Sequence, residues 1–216
     1  MTHDYTRDLE LLAAEIPMND RLQLLRDIPE TEIHDLLMAL FSKMEPHYLI
    51  VKTHGPDELG RDLVIVKKDS LGSDIVAVVV KRGDIRGKTV GDVTNLRKKV
   101  NAMLPKAAEH LSIEIADQID MCFSNSSLLR TVYKKLPTTR VLVILVGDIS
   151  GQGHERLFNE IDHPGFVDIR DVTWLDDQFL KHYPQVYFHG ATVDFIQSEL
   201  VKHEHRKSAI NTQMQL

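Results

Sequence analysis

The chain has 216 residues, 43% of them hydrophobic and 27% charged, which suits one ordinary globular domain and is long enough to bury a sizeable core. No apolar run exceeds six residues, as at 75–80 and 141–146, so a membrane-spanning helix of about 20 residues is excluded. A single cysteine, Cys122, excludes an internal disulfide and a cysteine-built zinc or iron–sulfur centre, and a net charge of -6 argues against a uniformly basic coat for nucleic acid.

The N-terminal MTHDYTRDLELL carries acids where a secretory signal carries bases, so a cytoplasmic location is expected. Residues 5 to 27 place leucines at helical spacing on either side of Pro17, predicting two short helices as an N-terminal appendage over 1–28. Glu30 to Met44 has Ile33, Leu36, Leu37, Leu40 and Phe41 on one helical face behind Pro29. Tyr48 to Thr53, Asp62 to Lys67 and Ile75 to Lys81 read as three strands joined by short turns, hence as an antiparallel meander. Thr89 to Leu104 has Val90, Val93, Leu96, Val100 and Met103 three or four apart, a helix that Pro105 is expected to end. Ala107 to Phe123 predicts a longer helix. Val141 to Val146, apolar on both parities, predicts a strand covered on two faces, with Val167 to Ile169 as a further strand. Helices around Glu155 to Ile161, Leu175 to His182 and Val193 to His203 complete an α/β pattern, a mixed sheet in which parallel strands extend the meander.

Charge is unevenly spread. Between Lys81 and Lys106 there are eight bases and two acids, whereas Asp148 to Asp177 holds eight acids and two bases. One surface is thus expected to attract phosphate and another to repel it, although a basic helix face is also a common solvated surface.

The chemistry-bearing stretch is Gly55-Pro-Asp-Glu-Leu-Gly-Arg-Asp62 followed by Ile75-Val-Ala-Val-Val-Val-Lys81. A lysine ending a buried apolar strand calls for an anion beside it. Alternation puts Val79 and Lys81 on one face, and Asp62, Glu58 and Lys81 are expected to converge at one sheet edge. Two carboxylates and a lysine suit metal-assisted phosphodiester hydrolysis, because carboxylate oxygens are hard ligands for Mg2+ and an ammonium offsets phosphate charge. A structural Asp62–Lys81 ion pair is the competing interpretation.

At these residues the chain resembles the PD-(D/E)xK nuclease superfamily, most closely Mrr-like restriction endonuclease domains and the N-terminal effector domains of bacterial anti-phage STAND NTPases. The resemblance is carried, over roughly residues 29–205, by THGPDELGRDLVI, VVVKRGDI, IADQI at 115–119, VLVILVGDIS at 141–150, and the segment with WLDD and YP near 174–184. It implies a restriction-endonuclease-like fold and a Mg2+- or Mn2+-dependent DNA endonuclease acting in antiviral defence. By the same resemblance Asp62 is the metal-binding aspartate, Val80 offers its carbonyl, Lys81 is the motif lysine, and Glu58 is a second acid. Glu30 or Glu32 would be a supporting helix acid. Val79 stands where the family carries Glu, Asp or Gln, and an isopropyl group cannot coordinate a cation. Either another acid substitutes, Glu58 first with Asp74 or Glu32 behind it, or the chain keeps the fold as a silent module that binds DNA or a protein partner.

Arg82, Arg86, Lys88, Arg97, Lys98 and Lys99 are the expected contacts to DNA phosphates. Relatives usually precede an NTPase sensor domain and act as oligomers, so such a domain or a homo-oligomer is an implied partner, with 206–216 read as a tail or linker. Gly87-Lys88-Thr89 is not a phosphate loop, since the glycine required five positions earlier is Arg82. His182, His189, His203 and His205 lack the spacing of a zinc site, and Cys122 reads as an ordinary helical cysteine.

Overall fold

The structure, a computed structural model, describes residues 6–53, 60–69, 72–86, 104–124 and 138–188. Helices α1 (Thr6–Glu15), α2 (Met18–Asp27) and α3 (Glu30–Met44) lead into strands β1 (Leu49–Lys52), β2 (Leu63–Asp69) and β3 (Gly72–Arg82). Helix α4 (Leu104–Ser124), strand β4 (Arg140–Val146), helix α5 (Gly151–Glu160), strand β5 (Val167–Arg170) and helix α6 (Val172–His182) follow, with short 3-10 helices at Pro164–Phe166 and Pro184–Phe188. The sheet runs β1-β2-β3-β4-β5. Its first three strands are antiparallel, and β3, β4 and β5 are mutually parallel. This is the mixed α/β sheet expected from the order of elements.

Strand alternation sorts the core into two layers. Val78 and Val80 of β3 and Ile144 and Val146 of β4 pack against Ile33, Leu37, Leu40 and Phe41 of α3 and Val172, Leu175 and Phe179 of α6. The opposite parity, Ala77 and Val79 with Val141, Val143 and Leu145, meets Ile115, Ile119 and Cys122 of α4 and Leu157 of α5. Leu22 and Leu25 of α2 and Ala13 of α1 join the first layer. Arg21 of α2 reaches α6, where its Nε and Nη2 each donate to Asp176 at 2.9 Å, and the Tyr187 hydroxyl donates to the same carboxylate at 2.6 Å.

Element ends differ from the sequence reading where capping decides them. Helix α5 begins at Gly151, four residues ahead of the apolar signal, because Ser150 accepts a hydrogen bond from the Gly153 N–H at 3.0 Å. Helix α6 begins at Val172 because Asp171 accepts from the Trp174 N–H. Pro105, expected to end a helix, lies in the first turn of α4, where its missing N–H leaves no hydrogen bond unmade. The helices expected over most of Thr89 to Leu104 and over Val193 to His203 lie outside the described residues. Among the described residues, no helix is long and apolar enough to cross a membrane.

Candidate active site

Gly60, Arg61 and Asp62 lead into β2, and each has a separate physical task. Gly60 has φ +79, and a Cβ there would stand 2.6 Å from the Gln118 carbonyl oxygen of α4. Only glycine lets this turn approach the helix so closely. Arg61 is 1% exposed and donates from Nη2 to the Cys122 carbonyl at 2.8 Å, supplying a cation to the last turn of α4, where carbonyls lack helical partners. Burial lowers the basicity of this guanidinium. The Cys122 thiol lies 3.3 Å from the Gly60 carbonyl, and burial pushes its pKa up to about 12, so it is an inert thiol at neutral pH. Gly60→Ala is expected to cost about 2–4 kcal/mol, combining a disfavoured φ with a backbone clash, which urea denaturation would read directly.

Asp62 is thereby delivered to the mouth of β2. Its N–H donates to the Val78 carbonyl at 2.9 Å, and its Oδ2 accepts from the Val80 N–H at 2.6 Å. Register extends this geometry: Leu63 pairs with Val78, so Asp62 stands opposite Val79 and shares a face with it. Lys81 continues the Ala77–Val79 parity, so its side chain also rises on the α4 side. There its ammonium lies 2.6 Å from Glu114 Oε1. In a strand, the N–H and C=O of one residue point to the same side, so the Val80 carbonyl faces the edge where the Asp62 carboxylate already holds the Val80 N–H.

Next to this edge, β3 and β4 are each followed by the same tripeptide, Gly83-Asp-Ile and Gly147-Asp-Ile, and an isolated parallel bridge joins Ile85 to Ile149. A Cβ on Gly147 would overlap the Gly83 carbonyl, which explains glycine at this crossing. The Asp84 carboxylate accepts from the Asp148 N–H at 2.9 Å. Burial raises the Asp84 pKa, but that N–H together with Arg86 and Arg26 outweighs burial and holds it below the ordinary value. Arg26 of α2 pairs with Asp148 at 2.7 Å, Arg86 pairs with Asp84 at 2.9 Å, and Arg82 donates to the Arg26 carbonyl. Among the described residues, the rim therefore carries three arginines against two aspartates.

Of the residues singled out from sequence, Asp62, Val80 and Lys81 come to one sheet edge, with Asp62 and Lys81 on one face. Glu58 lies outside the described residues, as do Lys88, Arg97, Lys98 and Lys99; Arg82 and Arg86 are exposed at the rim. Glu32 is exposed in the first turn of α3, in the opposite helix layer, beside an apolar depression of about 200 Å³ lined in part by Leu24, Leu25, Ile28, Val186 and Tyr187. Asp74 is seven residues before Lys81 on β3, about 23 Å away by strand rise, too far to replace the acid missing at Val79. Val79 itself is fully buried. The partner that sequence reading missed is Glu114. Its signal was helical spacing, because Leu111, Glu114, Gln118 and Cys122 form one stripe of α4.

Among the described residues, no group of three His, Cys, Asp or Glu side chains is placed to hold a metal ion. The donors at the β2–β3 edge, a carboxylate and a backbone carbonyl, are nevertheless hard oxygens of the kind Mg2+ and Mn2+ accept, with water completing the shell.

No protein-family model and no curated protein matches the chain. The structure aligns with that of the MspJI restriction endonuclease in complex with a 27-mer oligonucleotide, at 11% identity and a TM-score of 0.33. The alignment covers 94% of this chain and 36% of that one, so this chain spans little more than a third of that protein. A likeness of that size fixes neither fold nor function.

Proposed function

We propose that the protein is a metal-dependent nuclease of restriction-endonuclease-like fold that hydrolyses DNA phosphodiester bonds. The observation that carries this reading is the Asp62 carboxylate bonded to the Val80 N–H, with Lys81 rising beside it on the same face. Asp62 and the Val80 carbonyl would hold Mg2+ or Mn2+, with Glu58 as a further acid from the preceding segment. When bound, the cation polarises the phosphoryl oxygen and lowers the pKa of its water. The chain's own residues orient and balance charge. Val80 fixes the Asp62 carboxylate through its N–H, Arg61 ties the strand entrance to α4, and the Lys81 ammonium offsets charge on the scissile phosphate. Arg82 and Arg86 at the rim, with Lys88, Arg97, Lys98 and Lys99, would neutralise flanking phosphates, so binding should weaken as salt rises. The motif resemblance supports a role as a defence effector, joined to an NTPase sensor domain or acting as a homo-oligomer.

A second reading, a silent module that binds DNA or a protein without cutting, is favoured by Val79, whose side chain offers no ligand. Plasmid cleavage separates the two. The nuclease reading expects nicking in Mg2+ or Mn2+ that falls about 10²–10³-fold in Lys81→Ala, as when one transition-state charge partner is lost. Equal background in wild type and variant would leave the silent reading.

A further inference from the structure

We infer that Glu114, carried on helix α4, supplies the metal-binding carboxylate that β3 lacks at Val79. The inference rests on the nuclease reading and adds to that site an acid which neither Asp62 nor Glu58 accounts for. Mg2+ is ordinarily held by one or two carboxylates, with the remaining positions left to water and substrate oxygens. Asp62 provides one negative charge at the β2–β3 edge, and the Val80 carbonyl provides none. Val79, opposite Asp62 in the register, is fully buried and apolar.

Helix α4 crosses this face in a known register. Leu111 lies against Gly83, Gln118 and Met121 against Gly60, and the Cys122 carbonyl against Arg61. Glu114 falls between the first and second of these contacts, one turn before Gln118, over the stretch of chain that runs from Lys81 to Gly83. Its carboxylate is placed by the 2.6 Å contact with Lys81, and its side chain is 45% exposed, which leaves it open to an ion arriving from solvent. The Arg61 bond to the end of α4 fixes the helix to the residue next to Asp62. Asp62, Lys81 and Glu114 are therefore held by one connected framework on one face of the sheet.

The Lys81–Glu114 pair gives the site its resting state. Without a cation, the ammonium balances the Glu114 carboxylate. With Glu114 as a ligand to a cation, the Lys81 ammonium would be left to pair with a phosphate oxygen. A purely structural pair would instead exist to pin α4 to β3, and the two roles differ in what the loss of each partner does to metal binding.

The test is Mn2+ binding to the full chain, followed by electron paramagnetic resonance of free Mn2+, with thermal melts as a check on folding. Glu114→Gln is expected to weaken Mn2+ binding at least tenfold. Lys81→Met, which breaks the same ion pair but leaves the carboxylate, is expected to leave binding unchanged or tighter. Asp62→Asn, which removes the first ligand's charge, is the reference for a lost site. Wild-type affinity in Glu114→Gln beside a loss in Asp62→Asn would overturn the role of Glu114 while the metal-dependent reading stands. Equal weakening in Glu114→Gln and Lys81→Met would also overturn it, making the pair structural. Wild-type protein that binds no Mn2+ would overturn both the inference and the reading beneath it.

Discussion

Asp62→Asn is expected to lower Mg2+-dependent DNA cleavage by at least about a thousandfold, because the several kcal/mol that a bound cation contributes to the transition state is lost with its charged ligand. The substitution is nearly isosteric and keeps an oxygen that accepts from the Val80 N–H, now 2.6 Å from Asp62 Oδ2. Global stability should therefore fall by no more than about 1 kcal/mol, the difference between a charged and a neutral acceptor. Paired cleavage and urea-denaturation curves separate the two effects. A variant that retains cleavage would remove Asp62 from the chemistry, whereas a variant that unfolds would make Asp62 chiefly a strand-entrance residue.

The largest stability effect is expected far from that edge. Asp176→Ala should destabilise the protein by about 3–5 kcal/mol, because it leaves the Arg21 guanidinium buried without its carboxylate. Both partners are removed from solvent, with side-chain exposures of 10% for Arg21 and 1% for Asp176, and the bonds are bidentate. The Asp176 carboxylate also accepts from the Tyr187 hydroxyl at 2.6 Å, so the same change leaves that buried hydroxyl only the backbone carbonyl of residue 176, at 3.1 Å. Replacing both Arg21 and Asp176 by apolar residues of similar size should cost much less, since no charge is then left unpaired. Urea denaturation of the single and double variants reads the difference, and equal losses would contradict a charge-desolvation cause.

Much of the fold was legible in the sequence because alternation and helical spacing are local. The apolar run at Ile75 to Val80 marked a buried strand and that at Val141 to Val146 a strand covered on both faces, and the structure places them side by side in parallel register. The lysine that closes the first run called for an anion, and Glu114 stands there at 2.6 Å. Its identity was not legible, because the contact spans 33 residues and depends on where α4 crosses the sheet. Arg61 was equally hidden. Read in sequence, it is a base between a glycine and an acid; in the fold it is buried against a helix end. The starts of α5 and α6 were missed by a few residues because Ser150 and Asp171 set them through single side-chain bonds that leave no apolar period. Asp74, ranked behind Glu58 as a substitute acid, lies at the wrong end of the strand because of the direction in which β3 runs.

The most direct measurement is anomalous X-ray scattering from crystals soaked in Mn2+. The expected result is a peak about 2.1 Å from an Asp62 carboxylate oxygen and from the Val80 carbonyl, at the ordinary distance for a hard octahedral cation. Crystals that take up Mn2+ elsewhere and show no density at the β2–β3 edge would contradict a metal-dependent site there.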